Sequence, residues 1–294
     1  AGCVSWRIAV FRCRCGDCWR SDCLSGHRSL AAQPSMSALP YLMVAPNGAR
    51  RTKADHPALP LTLPELVTCA GACAKMGADG IHVHLRDAHG GHLLDAGLYQ
   101  ETLAELRRTV PQMALQITTE AVGLYDASAQ RAVALNGGAP LVSASVVELH
   151  RDTPEAVNQS FYQECADRGI ALQHILYSPS DFVLLKRLLP SDLFHSPAMQ
   201  LIFVLGRYSV DQESDPQDLM PYLETLKNYK ITPDWAICAF GRNETACLLA
   251  AHQQGGKLRV GFENSLWNAD GLLATDNAAR VEEVARHLRG NSSV

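Results

Sequence analysis

Three side chains dominate the chemistry this sequence offers. In Gly80-Ile81-His82-Val83-His84-Leu85-Arg86-Asp87 apolar residues alternate with His82, His84 and Arg86. An extended chain therefore puts both imidazoles on one face and Ile81, Val83 and Leu85 on the other. Two imidazoles so spaced at a strand end are a common way to hold a divalent metal. A second alternating run, Leu258 to Asn264, sets Arg259, Gly261 and Glu263 on one face and Val260 and Phe262 on the other. Where the two runs converge, His82, His84 and Glu263 make a His2Glu set with one open position. That is a catalytic zinc arrangement, in which the ion polarises a carbonyl or binds water. Calcium and magnesium prefer oxygen shells, whereas cobalt or manganese suits the same ligands as zinc. The plainer roles are a polar structural layer for the histidines and an ion pair with Arg259 or Arg86 for Glu263.

Something must bring these runs together. From Met36 onward, apolar runs of strand length alternate eight times with amphipathic stretches of helix length. The strands are expected near Tyr41 to Ala45, Gly80 to His84, Ala114 to Thr118, Leu141 to Ser145, Ile170 to Leu176, Gln200 to Leu205, Trp235 to Ala239 and Leu258 to Phe262. The helices are expected over Pro64 to Met76, Ala96 to Thr109, Ala127 to Leu135, Pro154 to Arg168, Ser180 to Leu188, Pro216 to Tyr229, Asn243 to Gln254 and Ala278 to Leu288. Such alternation implies a parallel sheet covered by helices. Eight units in this length predict an α/β fold of the (β/α)8 TIM-barrel type, since an open doubly wound sheet more often shows a Gly-rich first turn, and no G-x-G-x-x-G follows the first strand. Asn47-Gly48 reads there as a turn signal alone. In a barrel, chemistry belongs at the strand C-termini, and strand eight lies two places round the ring from strand two, within reach of the histidines.

Composition narrows the partners. Hydrophobic residues are 47% of the 294, enough for a sizeable core, and the formal net charge of −4 leaves no broad basic surface for nucleic acid. Apolar runs such as Met199 to Gly206 fall well short of the ~20 residues a bilayer span requires. Residues 1–35 stand apart, holding five of the ten cysteines (Cys3, Cys13, Cys15, Cys18, Cys23) with Trp6 and Trp19. We read them as a disordered or mis-assigned extension ahead of a native start at Met36, with a small zinc knuckle over Cys13 to His27 as the functional alternative. Residues 36–294 are then one barrel domain. Their five cysteines lack metal or disulfide spacing, which suits a reducing cytoplasm.

Five blocks carry a resemblance. Asn47-Gly48-Ala49-Arg50-Arg51-Thr52, Pro57 to Glu65, His82-Val83-His84-Leu85-Arg86-Asp87, Trp235 to Glu244, and Gly255 to Asn264 together resemble the β-keto acid cleavage enzymes, typified by the enzyme that cleaves 3-keto-5-aminohexanoate. The resemblance covers essentially Leu39 to Leu288. It implies a zinc-dependent barrel that condenses a β-keto acid with acetyl-CoA to give acetoacetate and the acyl-CoA of the remaining portion. It also implies a homo-oligomer, dimer or tetramer, and metal ligation by the residues matching His82, His84 and Glu263. By the same resemblance Arg259 lies in the active site and assists the acidic group after the glutamate.

The chain departs from that pattern in ways that bear on chemistry. The acid after the glutamate is Asn264 here, and an amide accepts no proton at neutral pH. Glu120, after Thr118-Thr119, stands where the family commonly has glycine, which makes it a candidate replacement base. The position that is acidic in enzymes taking an amino-bearing keto acid is Arg50, followed by Arg51. A guanidinium there predicts an anionic or neutral β-keto acid, because its planar fork matches a second carboxylate; pairing of Arg50 with Glu120 is the structural alternative. Thr118, Thr119, Ser143 and Ser145 are candidate carboxylate binders, and His174 is a spare ligand or proton carrier if not simply a barrel-lining histidine. Gly241, Arg242 and Asn243 open a helix, capped by Asn243, where barrels often bind phosphate, and so are assigned to CoA. The rival readings are a metal-dependent aldolase, lyase or hydrolase acting on a keto acid, and a catalytically impaired metal-binding barrel.

Overall fold

The computed structural model describes residues 37–290; the cysteine-rich segment 1–35, with its candidate knuckle, lies outside the described residues. Eight parallel strands close a barrel: β1 (Leu42–Val44), β2 (Gly80–Val83), β3 (Ala114–Thr118), β4 (Leu141–Ser145), β5 (Ala171–Leu176), β6 (Gln200–Leu205), β7 (Asp234–Ala239) and β8 (Lys257–Val260). β1 pairs with both β2 and β8, with Met43 opposite Gly80 on one side and Arg259 on the other, so β2 and β8 are separated by one strand. Alternation along each strand sorts the side chains into two layers. Ile81, Val83, Ile117, Val142, Phe203 and Val260 face the helices in the main apolar cluster. Met43, Leu141, Ala171, Ile175, Ile202, Val204, Ala236 and Cys238 fill the barrel interior in a second cluster.

The outer helices are α1 (Leu63–Met76), α2 (Ala96–Thr109), α3 (Ala127–Asn136), α4 (Glu155–Asp167), α5 (Asp181–Leu188), α6 (Met220–Tyr229), α7 (Glu244–Gln253) and α8 (Asn277–Gly290). Their starts follow local side-chain chemistry. Thr62 and Glu65 form a reciprocal capping box with Pro64 inside the first turn of α1, and Asp95 and Asp126 accept the Leu98 and Ala129 N–H groups ahead of α2 and α3. The expected boundaries hold to within a residue or two, except that the stretch before α6 is a separate 3-10 turn over Pro216–Leu219. The sequence reading omits a two-stranded hairpin, Leu85–Arg86 with His92–Leu93, and short helices at Val146–His150 and Ser191–Phe194. Each is too short for its periodicity to register. Among the described residues no helix is long and apolar enough to cross a membrane.

A candidate metal centre at the C-terminal mouth

His82 and His84 leave the end of β2 with their Nε2 atoms 3.1 Å apart, and Glu263 Oε2 lies 3.6 Å and 3.5 Å from them. A tetrahedral ion with ligand distances of 2.0–2.1 Å asks for donor separations of about 3.3 Å, so the triangle has the size of a zinc-like site. Among the described residues this is the one such cluster of histidine, cysteine and carboxylate groups. The donor set also lacks something within itself. Glu263 Oε2 is buried without a hydrogen-bond donor, and two imidazole nitrogens at contact distance leave lone pairs opposed unless a cation or proton lies between them. The residues fit a divalent metal on these grounds.

Glu263 divides its two oxygens between tasks. Oε2 joins the triangle, while Oε1 accepts from Arg259 Nη2 at 3.2 Å, so the ion pair expected as the plainer role is built and still leaves Oε2 available to a metal. Burial alone would raise the Glu263 carboxyl, but Arg259 and the two histidines outweigh it and hold it well below the usual carboxylate range. Burial, reinforced by the Arg259 charge, pushes His82 well below the ordinary imidazole value, which keeps it neutral as a ligand must be. Arg259 also donates to the Cys238 thiol, 3.2 Å away, whose pKa burial pushes up to about 11.

The triangle opens into a cavity of about 140 Å³. Of the residues singled out in the sequence, Arg50, Thr118, Glu120, His82, Arg259 and Glu263 line it. Glu120 Oε2 lies 3.9 Å from His84 Nδ1. Arg50 is exposed and makes no ion pair with Glu120 among the described residues, so that structural alternative is not what the fold builds. The more enclosed guanidinium is its neighbour Arg51, whose Nη2 donates to the Asn264 carbonyl at 3.2 Å while Nη1 is buried without a partner.

Other candidates fall elsewhere. Thr119 and Ser143 are buried and do not line the cavity, and the Thr119 hydroxyl donates to the Ser143 carbonyl. Ser145 accepts the Glu148 N–H and caps the short helix that follows. Asn264 is fully buried, and neither atom of its amide has a partner. His174 is corrected outright: with Leu172 and Leu176 it belongs to the helix-facing side of β5, packing on Tyr162 at 5.4 Å between ring centroids, so it is neither ligand nor barrel lining. At α7, Asn243 holds the cap position without a side-chain cap bond, its amide donating instead to the Ser214 carbonyl. The Arg242 N–H is taken by Glu213 Oε2 at 2.8 Å, and the backbone at Gly241 is crowded by the same carboxylate. The Arg242 guanidinium stacks on Trp267 at 3.8 Å.

Sequence reasoning missed the parts that support the site. Asn47-Gly48 is more than a turn: buried Asn47 donates to the Pro60 and His84 carbonyls. Gly48 has φ +59°, and a Cβ there would lie 2.6 Å from Glu263 Cγ. Arg86 gathers the carbonyls of Asn47, Gly48, Arg51 and Gly90, fixing the loop after β1 that carries Arg50 and Arg51. Arg207, Gln212 and Tyr177 complete the wall. An arginine two positions beyond paired histidines is visible in sequence, but its carbonyl targets are not.

A family model described as beta-keto acid cleavage enzyme matches residues 41–293. The chain is 26% identical over 244 residues to the 3-keto-5-aminohexanoate cleavage enzyme of Fusobacterium nucleatum, covering 81% of this chain and 87% of that one. It is 25% identical over 254 residues to the 3-oxoadipate:acetyl-CoA acetyltransferase of Cupriavidus necator, with 83% and 86% covered. In structure it is similar to ObcA in its binary complex with oxaloacetate, at a TM-score of 0.63 and 17% identity, a likeness of fold over 81% of this chain and 65% of ObcA. This chain thus spans about two thirds of ObcA's length.

Proposed function

This chain belongs to the beta-keto acid cleavage enzyme family, and on that premise we propose that it transfers the carboxymethyl carbon unit of an anionic β-keto acid to acetyl-CoA, with zinc or a similar divalent metal held by His82, His84 and Glu263. The C2–C3 bond of the keto acid breaks, C2 bonds to the acetyl carbonyl to give acetoacetate, and the CoA thiol leaves with the remaining acyl group. A metal bound there supplies Lewis-acid polarisation of a carbonyl.

The protein's own residues would do the rest. Glu120 faces the cavity, accepts the proton from C2 and returns it to that carbon once the C2–C3 bond has broken. Arg259 keeps Glu263 ionised and oriented. The observation that carries the substrate class is the charge of the wall: Arg50, Arg51, Arg207 and Arg259 face two carboxylates, Glu120 and Glu263. The unpartnered Arg51 Nη1 in particular calls for an acceptor, which a second substrate carboxylate supplies. The relative from Cupriavidus necator bears the name of such a dicarboxylic keto acid. For CoA, the occupied main chain at Gly241 to Asn243 leaves the Arg242 side chain, stacked on Trp267 at the mouth, as the group offered to a phosphate or adenine.

The test is metal-replete protein incubated with acetyl-CoA and dicarboxylic, neutral and cationic β-keto acids, with acetoacetate and new acyl-CoA read by mass spectrometry. Turnover that favours the dicarboxylic members is expected. Preference for cationic members overturns the substrate assignment, and metal uptake without any acyl-CoA overturns the reaction and leaves an impaired metal-binding barrel.

A further inference from the structure

Beneath the ligand triangle a chain of buried carboxamides crosses the barrel floor. His82 Nδ1 meets Gln116 Oε1 at 2.7 Å, Gln116 Nε2 meets Gln173 Oε1 at 2.9 Å, and Gln173 Nε2 meets the main-chain carbonyl of Leu201 at 3.2 Å. The three side chains come from β2, β3 and β5, and each is at most 1% exposed, so no solvent competes for these atoms. Four glutamine atoms thereby find partners in the middle of a barrel that is otherwise filled by Met43, Leu141, Ala171 and Ile202. Glutamines at this depth need a reason beyond packing, because an apolar pair of similar volume carries no satisfaction requirement.

The direction of the chain is fixed at its far end. A main-chain carbonyl accepts and never donates, so Gln173 must present its NH2 group to Leu201 and its oxygen to Gln116. Gln116 must then present its NH2 group to that oxygen, which leaves its own oxygen toward His82. An oxygen there accepts only a hydrogen on Nδ1. A neutral imidazole with hydrogen on Nδ1 has its lone pair on Nε2, the atom turned toward His84 and Glu263.

We propose that Gln116 and Gln173 are positioning residues for the metal site: anchored on the Leu201 carbonyl, they lock His82 into the Nδ1–H tautomer with Nε2 ready to ligate. His84 has no equivalent, since its Nδ1 lacks a hydrogen-bond partner and stands 3.9 Å from Glu120. The site therefore pairs one imidazole whose Nδ1 is held with one whose Nδ1 is unpaired. A neutral amide in this place orients its histidine without adding charge, whereas a carboxylate partner would add to the Glu263 charge nearby.

The inference rests on the metal reading above, and the experiment separates the two. In the metal-free parent protein, the side-chain 15N resonances of His82 are expected to show hydrogen on Nδ1, a result that requires neither metal nor turnover. Hydrogen on Nε2 overturns the relay while leaving the ligand set standing. Competition titration with a chromophoric chelator and the visible absorption of the Co(II) form then read metal binding. Gln116→Leu is expected to weaken Zn(II) and Co(II) binding by about 10- to 100-fold, the usual cost of losing the partner that orients a ligand. Gln173→Leu, which touches no ligand, is expected to weaken binding by several-fold and to alter the Co(II) spectrum. Gln116→Glu, which keeps the acceptor, is expected to restore most of the affinity that Gln116→Leu loses. Folded variants that bind metal within twofold of the parent overturn the proposal, as does equal loss in Gln116→Leu and Gln116→Glu.

Discussion

Gly48→Ala is expected to damage the metal site through a residue that contributes no ligand atom. Gly48 sits at φ +59°, where a Cβ costs roughly 1–2 kcal/mol, and the added carbon would stand 2.6 Å from Glu263 Cγ and 3.3 Å from its Cα. Because main chain as well as side chain is that close, Glu263 cannot swing clear by a rotamer change alone. Its backbone or the loop after β1 must shift, or the side chain must leave its staggered well at a further ~0.5–1.5 kcal/mol. The total of about 2–3 kcal/mol corresponds to a fall in Tm of roughly 4–12 °C for a domain of this size. Metal affinity should fall at least about tenfold, equivalent to ~1.4 kcal/mol, as Oε2 moves out of its 3.5–3.6 Å triangle with the two imidazoles. Gly71→Ala is the control: it lies inside α1 with nothing within 4 Å of the new carbon, and relief of the helix penalty predicts a gain of ~1 kcal/mol with metal affinity unchanged. The assays are thermal unfolding and metal titration on both variants. A Gly48→Ala protein with parental Tm and parental metal affinity refutes the packing argument.

Glu263→Gln keeps the shape of the site but removes its charge, so metal should be lost on gel filtration and turnover abolished, with chelator treatment of the parent giving the same inactivity and metal restoring it. Arg51→Met should raise KM for dicarboxylic keto acids by about 10- to 100-fold, the loss of a charge-assisted hydrogen bond. Arg50→Met, at the exposed position, should change it less than about fivefold, and the reverse ranking would move the anchor to Arg50. Glu120→Gln should lower kcat by about 10²–10⁴ with KM little changed if it is the base; a loss under tenfold removes it from that role. Burial pushes the Glu244 carboxyl up to about 7 despite the Arg280 guanidinium 2.7 Å away. The folded protein then holds the proton that the unfolded chain has released between about 4.5 and 7, so this group's contribution to stability is full below that window and is lost as pH rises through it. Denaturant unfolding at pH 5 and pH 8 should show Arg280→Met costing about 3–5 kcal/mol at the higher pH and visibly less at the lower, where Glu244 is neutral.

The barrel was legible because strand-length and helix-length stretches alternate eight times, and the direction of the paired histidines because of period-two alternation. The apolar partners of His82 and His84 announce which way the imidazoles point, whereas β8 ends at Val260 and Glu263 reaches them from the turn that follows. His174 shows where the method fails. The strand was expected to run to Leu176, as β5 does, but His174 was given the inward phase, and the alternation turns it with Leu172 and Leu176 toward the helices. In a strand apolar on both faces, period alone does not mark that phase. Gly48 and Arg86 were illegible for another reason. Their roles lie in contacts with Glu263 and with four main-chain carbonyls, and nothing local in sequence encodes a long-range contact between a loop after β1 and the end of β8. Arg50 and Arg51 illustrate the limit between these cases, since the charge was readable but not which of two neighbours the loop would bury.

The departures from the family pattern make sense together as a shift of charge. Replacing an acid by Asn264 removes one negative group from a fully buried position, and replacing another by Arg50 adds a positive one at the rim. Both changes raise the potential of the cavity, which already holds Arg51, Arg207 and Arg259 and would gain two further charges from a bound metal. Glu120 returns one negative charge, but on the β3 wall, away from the loop after β1. A monocarboxylate substrate would leave this wall undercompensated, and a cation would face it unfavourably. A keto acid with a second carboxylate offsets more of it, provided that carboxylate lies toward Arg51 and not toward Glu120. On the proposed reading, Asn264 spares the site a negative charge beside Arg51, whose Nη2 rests on the Asn264 main-chain carbonyl and whose Nη1 is left for a substrate carboxylate.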